Sequence, residues 1–337
     1  MKRLPTLLLA ILFGSVVLAQ DADHFFSGRS QMLLDPSRAG LDAGGRVAFI
    51  HQDQWLQLPG SWRSEFLSVD WCARNTKKPV SSWLGLGFLA RQEQQGGQGS
   101  RLASLALVPA VHLRAGSRSY LSLGMEVRWV NGTTGVWPGT WGSQYNGQVY
   151  DAALPSGETS AIGESTWLKS RAGISWTLKQ DRESAHRRER NKLVAGLAAD
   201  HLGRLTIQQE GAFPSAPPMR FTAYALGELP HQIWDDGFFA GELIGNMQGT
   251  SYAARFNVYA GKHLLNVLHD EGGPMHIGFK AGLGYRLHDA LLVNAAMDVN
   301  RTTLGLAYGW AMRSTDRLAA GRRTVEVLLQ VRFAGAS

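Results

Sequence analysis

The side chains most able to bind a metal ion lie within one short stretch of the sequence. His263, His269, Asp270, Glu271 and His276 combine imidazole and carboxylate groups, the donors that zinc and related metals use in proteins. Their spacing matches no known ligand template, however, and the Gly-Gly-Pro sequence that follows Glu271 is typical of a turn. We therefore predict that this stretch is a connection between elements and holds no metal.

Patterns that carry enzymatic chemistry are missing from the sequence. It contains no G-x-S-x-G nucleophile elbow, no H-E-x-x-H zinc motif and no G-x-x-x-x-G-K-[S/T] phosphate loop. Gly85, Gly87 and Ala90 loosely resemble a dinucleotide fingerprint, but they lie in an alternating pattern with no helix after it. The one cysteine, Cys72, cannot form an internal disulfide. We predict a protein that is not an enzyme and that uses no cofactor.

The first residues predict export from the cytoplasm. Lys2 and Arg3 precede an apolar stretch over residues 7–18, and Val17 and Ala19 are small residues suited to a cut before residue 20. The apolar stretch is too short to span a membrane comfortably as a helix. Residues 1–19 are therefore expected to be a cleaved signal peptide.

Alternation of apolar and polar residues predicts the rest of the chain to be β-structure. Over residues 120–129 the apolar side chains fall on one face of a strand and Glu126 and Arg128 on the other, whereas a helix would scatter the charges. Five segments alternate cleanly: 120–129, 276–287, 291–299, 304–313 and 325–333. Nine more fit loosely: 46–55, 64–72, 82–92, 101–115, 167–178, 191–202, 219–227, 238–245 and 251–261. Together they predict an all-β protein of about fourteen antiparallel strands, each about long enough to cross a bilayer when tilted.

A transmembrane β-barrel of the outer membrane explains the two faces better than a soluble β-sandwich, which also alternates. The apolar face often ends in an aromatic residue, as at Trp129, Trp176 and Trp310, which is typical of girdles at the lipid interface. The opposite face carries charge, which suits a wet interior and not a dry core. The predicted lumen-facing residues include Glu126, Arg128, Lys280, Arg286, Arg313 and Arg332.

The charge balance favours a membrane over a nucleic acid as the partner. The formal net charge is +7 and charged residues make up 18% of the chain, below the roughly 25% of soluble domains. Lys and Arg are dispersed along strands and turns and form no basic patch, so we expect them in the lumen and at lipid head groups.

The connections predict which end of the barrel faces the periplasm. If the barrel begins in the periplasm, residues 131–165 form a long extracellular loop, and residues 179–190 and 262–274 are periplasmic connections. Residues 179–190 are strongly charged, and a solvated turn is the default interpretation of such a stretch. The alternative is a surface that docks a partner, for which Arg187, Arg188 and Arg190 are the candidates.

Short motifs near the start of the mature chain resemble the PorP/SprF family of type IX secretion system membrane proteins. A Phe-Phe-Ser sequence at residues 25–27 precedes the sequence MLLDPSRAG at residues 32–40, and Gln54-Trp55 lies on the strand that follows. The residues that match the family motif are Asp35, Pro36, Ala39, Gly40, Gln54 and Trp55, although Asp35 replaces the usual Asn and Ser37-Arg38 the usual Ala-Tyr.

Pro36 and Gly40 predict a turn in the pre-barrel segment, residues 20–44, which precedes the barrel at residues 45–337. The segment either tucks into the lumen or forms a flexible leader. The sequence leaves both arrangements open.

The resemblance implies a non-enzymatic barrel that serves type IX secretion, the route by which gliding and related bacteria deliver adhesins to their surface. Such a protein would sit in the bacterial outer membrane, in contact with the lipid bilayer. It would bind periplasmic and outer-membrane subunits of the system and, in some cases, one surface adhesin. A passive porin or a channel for hydrophobic solutes remains the alternative, because alternation alone supports it equally well.

Overall fold

The computed structural model describes residues 24–42, 44–56, 61–73, 81–95, 100–134, 142–155, 163–184, 187–210, 217–231, 237–269, 273–312 and 323–333. The predicted signal peptide lies outside these residues, and its cleavage stays a prediction.

The described residues form a closed antiparallel barrel in which every strand pairs with its neighbours in the chain and β1 pairs with β14. The fourteen strands seen within the described residues confirm the predicted architecture, and each overlaps one predicted segment. They are β1 Gly45–Gln54, β2 Trp62–Ala73, β3 Ser82–Gln95, β4 Arg101–Arg114, β5 Ser119–Thr134, β6 Gly163–Ser184, β7 Arg187–Glu210, β8 Arg220–His231, β9 Gly237–Gln248, β10 Ser251–His269, β11 Gly273–Arg286, β12 Ala290–Val299, β13 Thr302–Ala311 and β14 Arg323–Phe333.

Side chains of opposite character alternate between the outside and the inside of the barrel. On β5, Leu123, Met125 and Val127 are 47–57% exposed on the outer face, while Glu126 and Arg128 are buried on the inner face. Large apolar residues on the outside of nearly every strand need a hydrocarbon environment, because water would make such a surface costly. Sequence alternation therefore determines both the strands and the orientation of the wall toward lipid.

The two ends of the barrel differ in the length of their connections. Residues 115–118 and 300–301 are short links at the end where β1 begins and β14 ends, whereas residues 135–162 form a long link at the other end. Short periplasmic turns and longer extracellular loops are usual in bacterial barrels, which assigns the start of β1 to the periplasmic side.

The prediction that residues 179–190 form a periplasmic turn is wrong, because most of these residues belong to strands. β6 continues to Ser184 and β7 begins at Arg187, so only two residues separate the strands. The register sets Asp181 opposite Arg190 and Glu183 opposite Arg188. A polar stretch that resembled a loop is therefore paired β-strand up to Ser184 and from Arg187. Arg187, Arg188 and Arg190 therefore begin β7.

The predicted connection at residues 262–274 is also mostly strand. β10 extends to His269 and β11 begins at Gly273, and the two remain paired up to those residues. The apolar residues of this stretch, which were predicted to lie in a connection, continue β10 instead.

The pre-barrel segment lies inside the barrel and is not a flexible leader. It contains two short helices, α1 (Gln31–Leu34) and the 3₁₀ helix η1 (Pro36–Arg38), and most of its residues from His24 to Leu41 are buried. A further 3₁₀ helix, η2 (Gly142–Gln144), lies in the long extracellular loop. Within the described parts of the chain, no helix is long and apolar enough to cross a membrane.

The hydrophobic core of the molecule lies between this segment and the wall. Phe25, Phe26 and Met32 belong to one buried cluster with the wall residues Phe66 and Leu328. Burial of an aromatic or methionine side chain stabilises the folded state by about 1.5–3 kcal/mol. The segment, which we call the plug (residues 24–42), is thus an integral part of the fold.

Candidate functional site

The motif at residues 32–40 folds around the carboxylate of Asp35. Asp35 Oδ1 accepts a hydrogen bond from the backbone nitrogen of Ser37 at 2.7 Å and so caps η1, and Pro36 occupies the first turn, where its missing N–H costs nothing. The other carboxylate oxygen accepts from the hydroxyl of Tyr224 on β8 at 2.7 Å, and the Ser37 hydroxyl bonds Ser175 on β6 at 2.7 Å. Asp35 therefore shapes the turn and fixes it to the wall at once.

The end of the motif is held by three polar side chains of the wall. The backbone oxygen of Ala39 accepts from His112 Nε2 at 2.8 Å, and that of Gly40 accepts from Trp83 Nε1 at 3.0 Å. The backbone nitrogen of Gly40 donates to Asp70 Oδ2 at 2.8 Å. Gly40 has a φ of +61°, and a Cβ there would lie 2.3 Å from the oxygen of Trp71, so only glycine fits.

Salt bridges close the periplasmic end of the plug. Asp70 pairs with Arg46 on β1 through two hydrogen bonds of 2.9 and 2.7 Å. Asp42 accepts from Lys179 at 2.8 Å and lies 3.8 Å from both Lys192 and Arg46.

These cations change the acidity of Asp42. Burial acts to raise the pKa of this carboxyl group, but the charges of Lys192, Lys179 and Arg46 outweigh burial and hold the pKa well below its usual range. The Asp42 side chain is 41% exposed, so water screens the ion pairs and each contributes at most about 1 kcal/mol.

Glu326 anchors the beginning of the plug. This carboxylate is fully buried on β14, and it accepts from the backbone nitrogens of Phe25 at 2.9 Å and Phe26 at 2.6 Å. It also accepts from Gln52 Nε2 at 2.6 Å and lies 3.2 Å from His24 Nδ1. Glu326 thus holds the backbone of the plug at two consecutive residues, Phe25 and Phe26.

The second part of the family motif joins this anchor. Gln54 donates to Gln52 Oε1, and Gln52 in turn donates to Glu326, which holds the plug backbone, so Gln54 is linked to that backbone through three hydrogen bonds in series. Trp55 follows with a φ of +62° and packs edge-on against Trp62 with ring centroids 5.9 Å apart. The structure thus brings Gln54 together with the plug but leaves Trp55 at the extracellular rim of β1.

Arg171 caps the helix of the plug from the wall. Its guanidinium donates to the backbone oxygens of Met32 and Leu33, each at 3.2 Å, and to that of Leu34. These oxygens lie in the only turn of α1 and lack helical partners, so a cation there satisfies them. Glu126 lies 3.8 Å from Arg171 and pairs with Arg128. The predicted lumen residues of β5 therefore support the plug through Arg171.

Glycines in the wall leave the room that the plug occupies. A Cβ at Gly124 would lie 2.4 Å from the backbone nitrogen of Ser37, one at Gly173 would lie 1.9 Å from Asp35 Oδ1, and one at Gly85 would lie 1.9 Å from the oxygen of Ala39. Gly87 faces the Met32 sulfur in the same way, at 2.1 Å. Gly85 and Gly87, which loosely resembled a dinucleotide fingerprint, thus lie on the wall where the motif at residues 32–40 packs against it.

The structure describes five of the six residues that were predicted to face the lumen. Glu126, Arg128, Lys280 and Arg286 lie on the inner face, Arg332 lies on the same face of β14 but is exposed near its periplasmic end, and Arg313 lies outside the described residues. Three of the six, Glu126, Arg128 and Lys280, are buried, so the expectation of a wet interior does not hold for them. Lys280 is 7% exposed, and its ammonium lies 4.1 Å from the ring centroid of Tyr259.

The candidate metal ligands give no site in the part of the chain that is described. There, no group of three or more His, Cys, Asp or Glu side chains could hold a metal ion. His263 stacks on Phe238 with ring centroids 4.6 Å apart, and residues 270–272 lie outside the described ranges.

Several residues that hold the plug were missed by sequence reasoning. They are Asp70, Trp83, His112, Arg171, Tyr224, Arg255 and Glu326. Each lies on the inward face of a strand, so the polar face was the available signal. It could not separate residues that bind the plug from residues that would face water.

Comparison with known proteins places this architecture among characterised families and structures. The model of a family described as type IX secretion system membrane protein PorP/SprF matches residues 19–331. No curated protein matches the sequence.

Three similar solved structures are barrels of other kinds. The toluene transporter TodX of P. putida is 9% identical with a TM-score of 0.45, and the match covers 90% of this chain and 93% of that one. The translocator domain of the autotransporter NalP from Neisseria meningitidis is 14% identical with a TM-score of 0.41, covering 91% and 95%. A FadL homologue from Pseudomonas aeruginosa is 10% identical with a TM-score of 0.38, covering 86% and 89%.

Proposed function

This chain belongs to the PorP/SprF family of type IX secretion system membrane proteins, and on that premise we propose that it is a sealed barrel that acts by binding protein partners. As a member of this family with a β-barrel fold, it is a component of the bacterial outer membrane. We propose further that it has no enzymatic activity, and that its partners are periplasmic and outer-membrane subunits of the secretion system and one surface adhesin.

The plug is the observation that supports this proposal over a passive channel. Polar contacts from β1, β2, β3, β4, β6, β8, β10, β12 and β14 reach the plug, so it is held around most of the wall. A passive channel needs an open path through its lumen, and this segment occupies that path. A barrel that serves as a rigid platform for other proteins gains a fixed shape from it.

The β6–β7 hairpin is the surface that we assign to a periplasmic partner. β5 stops pairing with β6 at Leu178, and β8 stops pairing with β7 at Lys192, so the residues beyond them form a two-stranded ribbon. Its paired length extends from Lys179 to Ser184 on one strand, which is about 20 Å at the usual rise per residue. Its sequence is rich in arginine, and charged surfaces of this kind set partner choice and association rate.

The test replaces Arg187, Arg188 and Arg190 with Ser. Barrel assembly should be retained, because the pairing of β6 with β5 and of β7 with β8 does not extend to these residues, while surface delivery of secreted proteins should fall. The matched control is R114S/R118S, which removes exposed arginines from the β4–β5 region at the same end of the barrel. Equal delivery by the triple variant and the control would contradict the assignment of the hairpin.

A channel for solutes is the second candidate, and it rests on the charge of the lumen alone. K280Q/R286Q removes two inward cations and should leave protein delivery unchanged if the lumen is sealed. Altered solute uptake in this variant, with normal delivery in the triple variant, would favour the channel.

A further inference from the structure

A small cavity remains between the plug and the wall in the extracellular half of the lumen. Its volume is about 40 Å³, and its lining includes His24 of the plug together with Arg91, Arg128, Arg171 and Arg220 of the wall. Arg220 begins β8 at the extracellular end, which locates the cavity toward that end of the lumen. A space of this size holds about three water molecules or one group of similar bulk, such as a phosphate or a carboxylate.

The cavity carries more positive than negative charge. Arg91 pairs with Glu93, and Arg128 pairs with Glu126. Asp200 is the one carboxylate among the described residues that line the space, against four arginines.

Two of the arginines have a guanidinium nitrogen without a hydrogen-bond partner among the described residues. Arg171 is 6% exposed, and its Nε has no hydrogen-bond partner among the described residues, because its carbonyl contacts use the two terminal nitrogens. Arg91 Nε also lacks a hydrogen-bond partner there. A buried guanidinium nitrogen without an acceptor is costly, and an anion in the cavity would remove that cost.

We propose that this cavity binds an oxyanion, the chemistry that phosphates and carboxylates share. Guanidinium groups present paired N–H donors that match both kinds of anion. The plug forms the inner side of the site through His24 and Ser27, so the anion bridges plug and wall. The site is distinct from the periplasmic hairpin and does not depend on the proposed docking there.

Titration of the detergent-solubilised full chain with inorganic phosphate and with acetate tests the site. Ionic strength is held constant with chloride, and heat is recorded by calorimetry. We expect saturable binding of at least one anion, weakened about tenfold by R91Q and by R220Q, because each loses a charge-assisted hydrogen bond. D200N keeps an acceptor for the backbone nitrogen of His201 but removes the repelling carboxylate, so it should bind the anion several-fold more tightly.

R101Q is the matched control, because Arg101 is exposed at the extracellular end of β4 and does not line the cavity. Binding of phosphate alone would assign a phosphate group, and binding of acetate alone a carboxylate. Absence of saturable binding for both anions would overturn the proposal, as would equal loss of binding in R101Q. If R91Q does not assemble, R220Q and D200N decide the question, since they alter opposite charges of the same cavity.

Discussion

Gly124 is the wall position at which one methyl group should loosen the plug most directly. In G124A the new Cβ would lie 2.4 Å from the backbone nitrogen of Ser37, whereas ordinary contacts are about 1 Å longer. The plug backbone cannot retreat freely, because Asp35 is bonded to Tyr224 behind it. Overpacking of this kind costs about 1–3 kcal/mol, which lowers the ratio of docked to undocked plug by about 5- to 150-fold.

Conductance across planar bilayers measures that ratio, because an undocked plug opens the lumen. G124A should increase the fraction of time in open states by about the same factor. The control is G241A, where a Cβ would lie 3.9 Å from its nearest neighbour, the oxygen of Asn257. Equal conductance of G124A and G241A would refute the argument that wall glycines exist to admit the plug.

Three further outcomes follow from the same contacts. E326Q should raise the rate at which a protease cleaves the plug, because one buried backbone donor of Phe25 or Phe26 loses its acceptor at a cost of about 1–3 kcal/mol; unchanged cleavage would contradict the anchoring role. F333D should prevent heat-modifiable migration of the assembled barrel, because Phe333 is 52% exposed on the lipid-facing side and a charge there costs about 1–4 kcal/mol; normal assembly would show that its orientation is wrong. Because the pKa of Asp42 is lowered in the folded state, its contribution to the stability of the docked plug should be complete above about pH 4 and be lost as the pH falls further. D42N should abolish this part of the acid sensitivity, measured as the rate at which a protease cleaves the plug.

Period-two alternation made the barrel predictable from the sequence. A segment such as residues 120–129 can be recognised as a strand by itself, because the order of its residues alone separates an apolar face from a polar face. The same reasoning failed at residues 179–190, where the stretch is polar on both faces. The backbone register of the two strands pairs residues 179–184 with residues 187–192, and that register is not visible in either strand taken singly.

The plug could be predicted only as one of two alternatives. Its motif was recognisable at Asp35, Pro36 and Gly40, but its partners lie far away in the sequence, with Glu326 about 300 residues from Phe26. Alternation predicts that Glu326 lies on the inner face, but it does not predict whether water or protein contacts the side chain there. Glycines on the inner face, such as Gly124, were the one signal of a close neighbour, since a water-filled lumen needs no missing side chains.

A cross-link between plug and wall tests the central claim most directly. The hydroxyl oxygens of Ser37 and Ser175 are 2.7 Å apart, so S37C/S175C, made in a C72S background that removes the one native cysteine, should form a disulfide in outer membranes. We predict that mass spectrometry finds this disulfide and that the cross-linked protein still delivers cargo to the surface. Absence of the cross-link would contradict the docked plug, and loss of delivery on cross-linking would contradict a barrel that works with its lumen sealed.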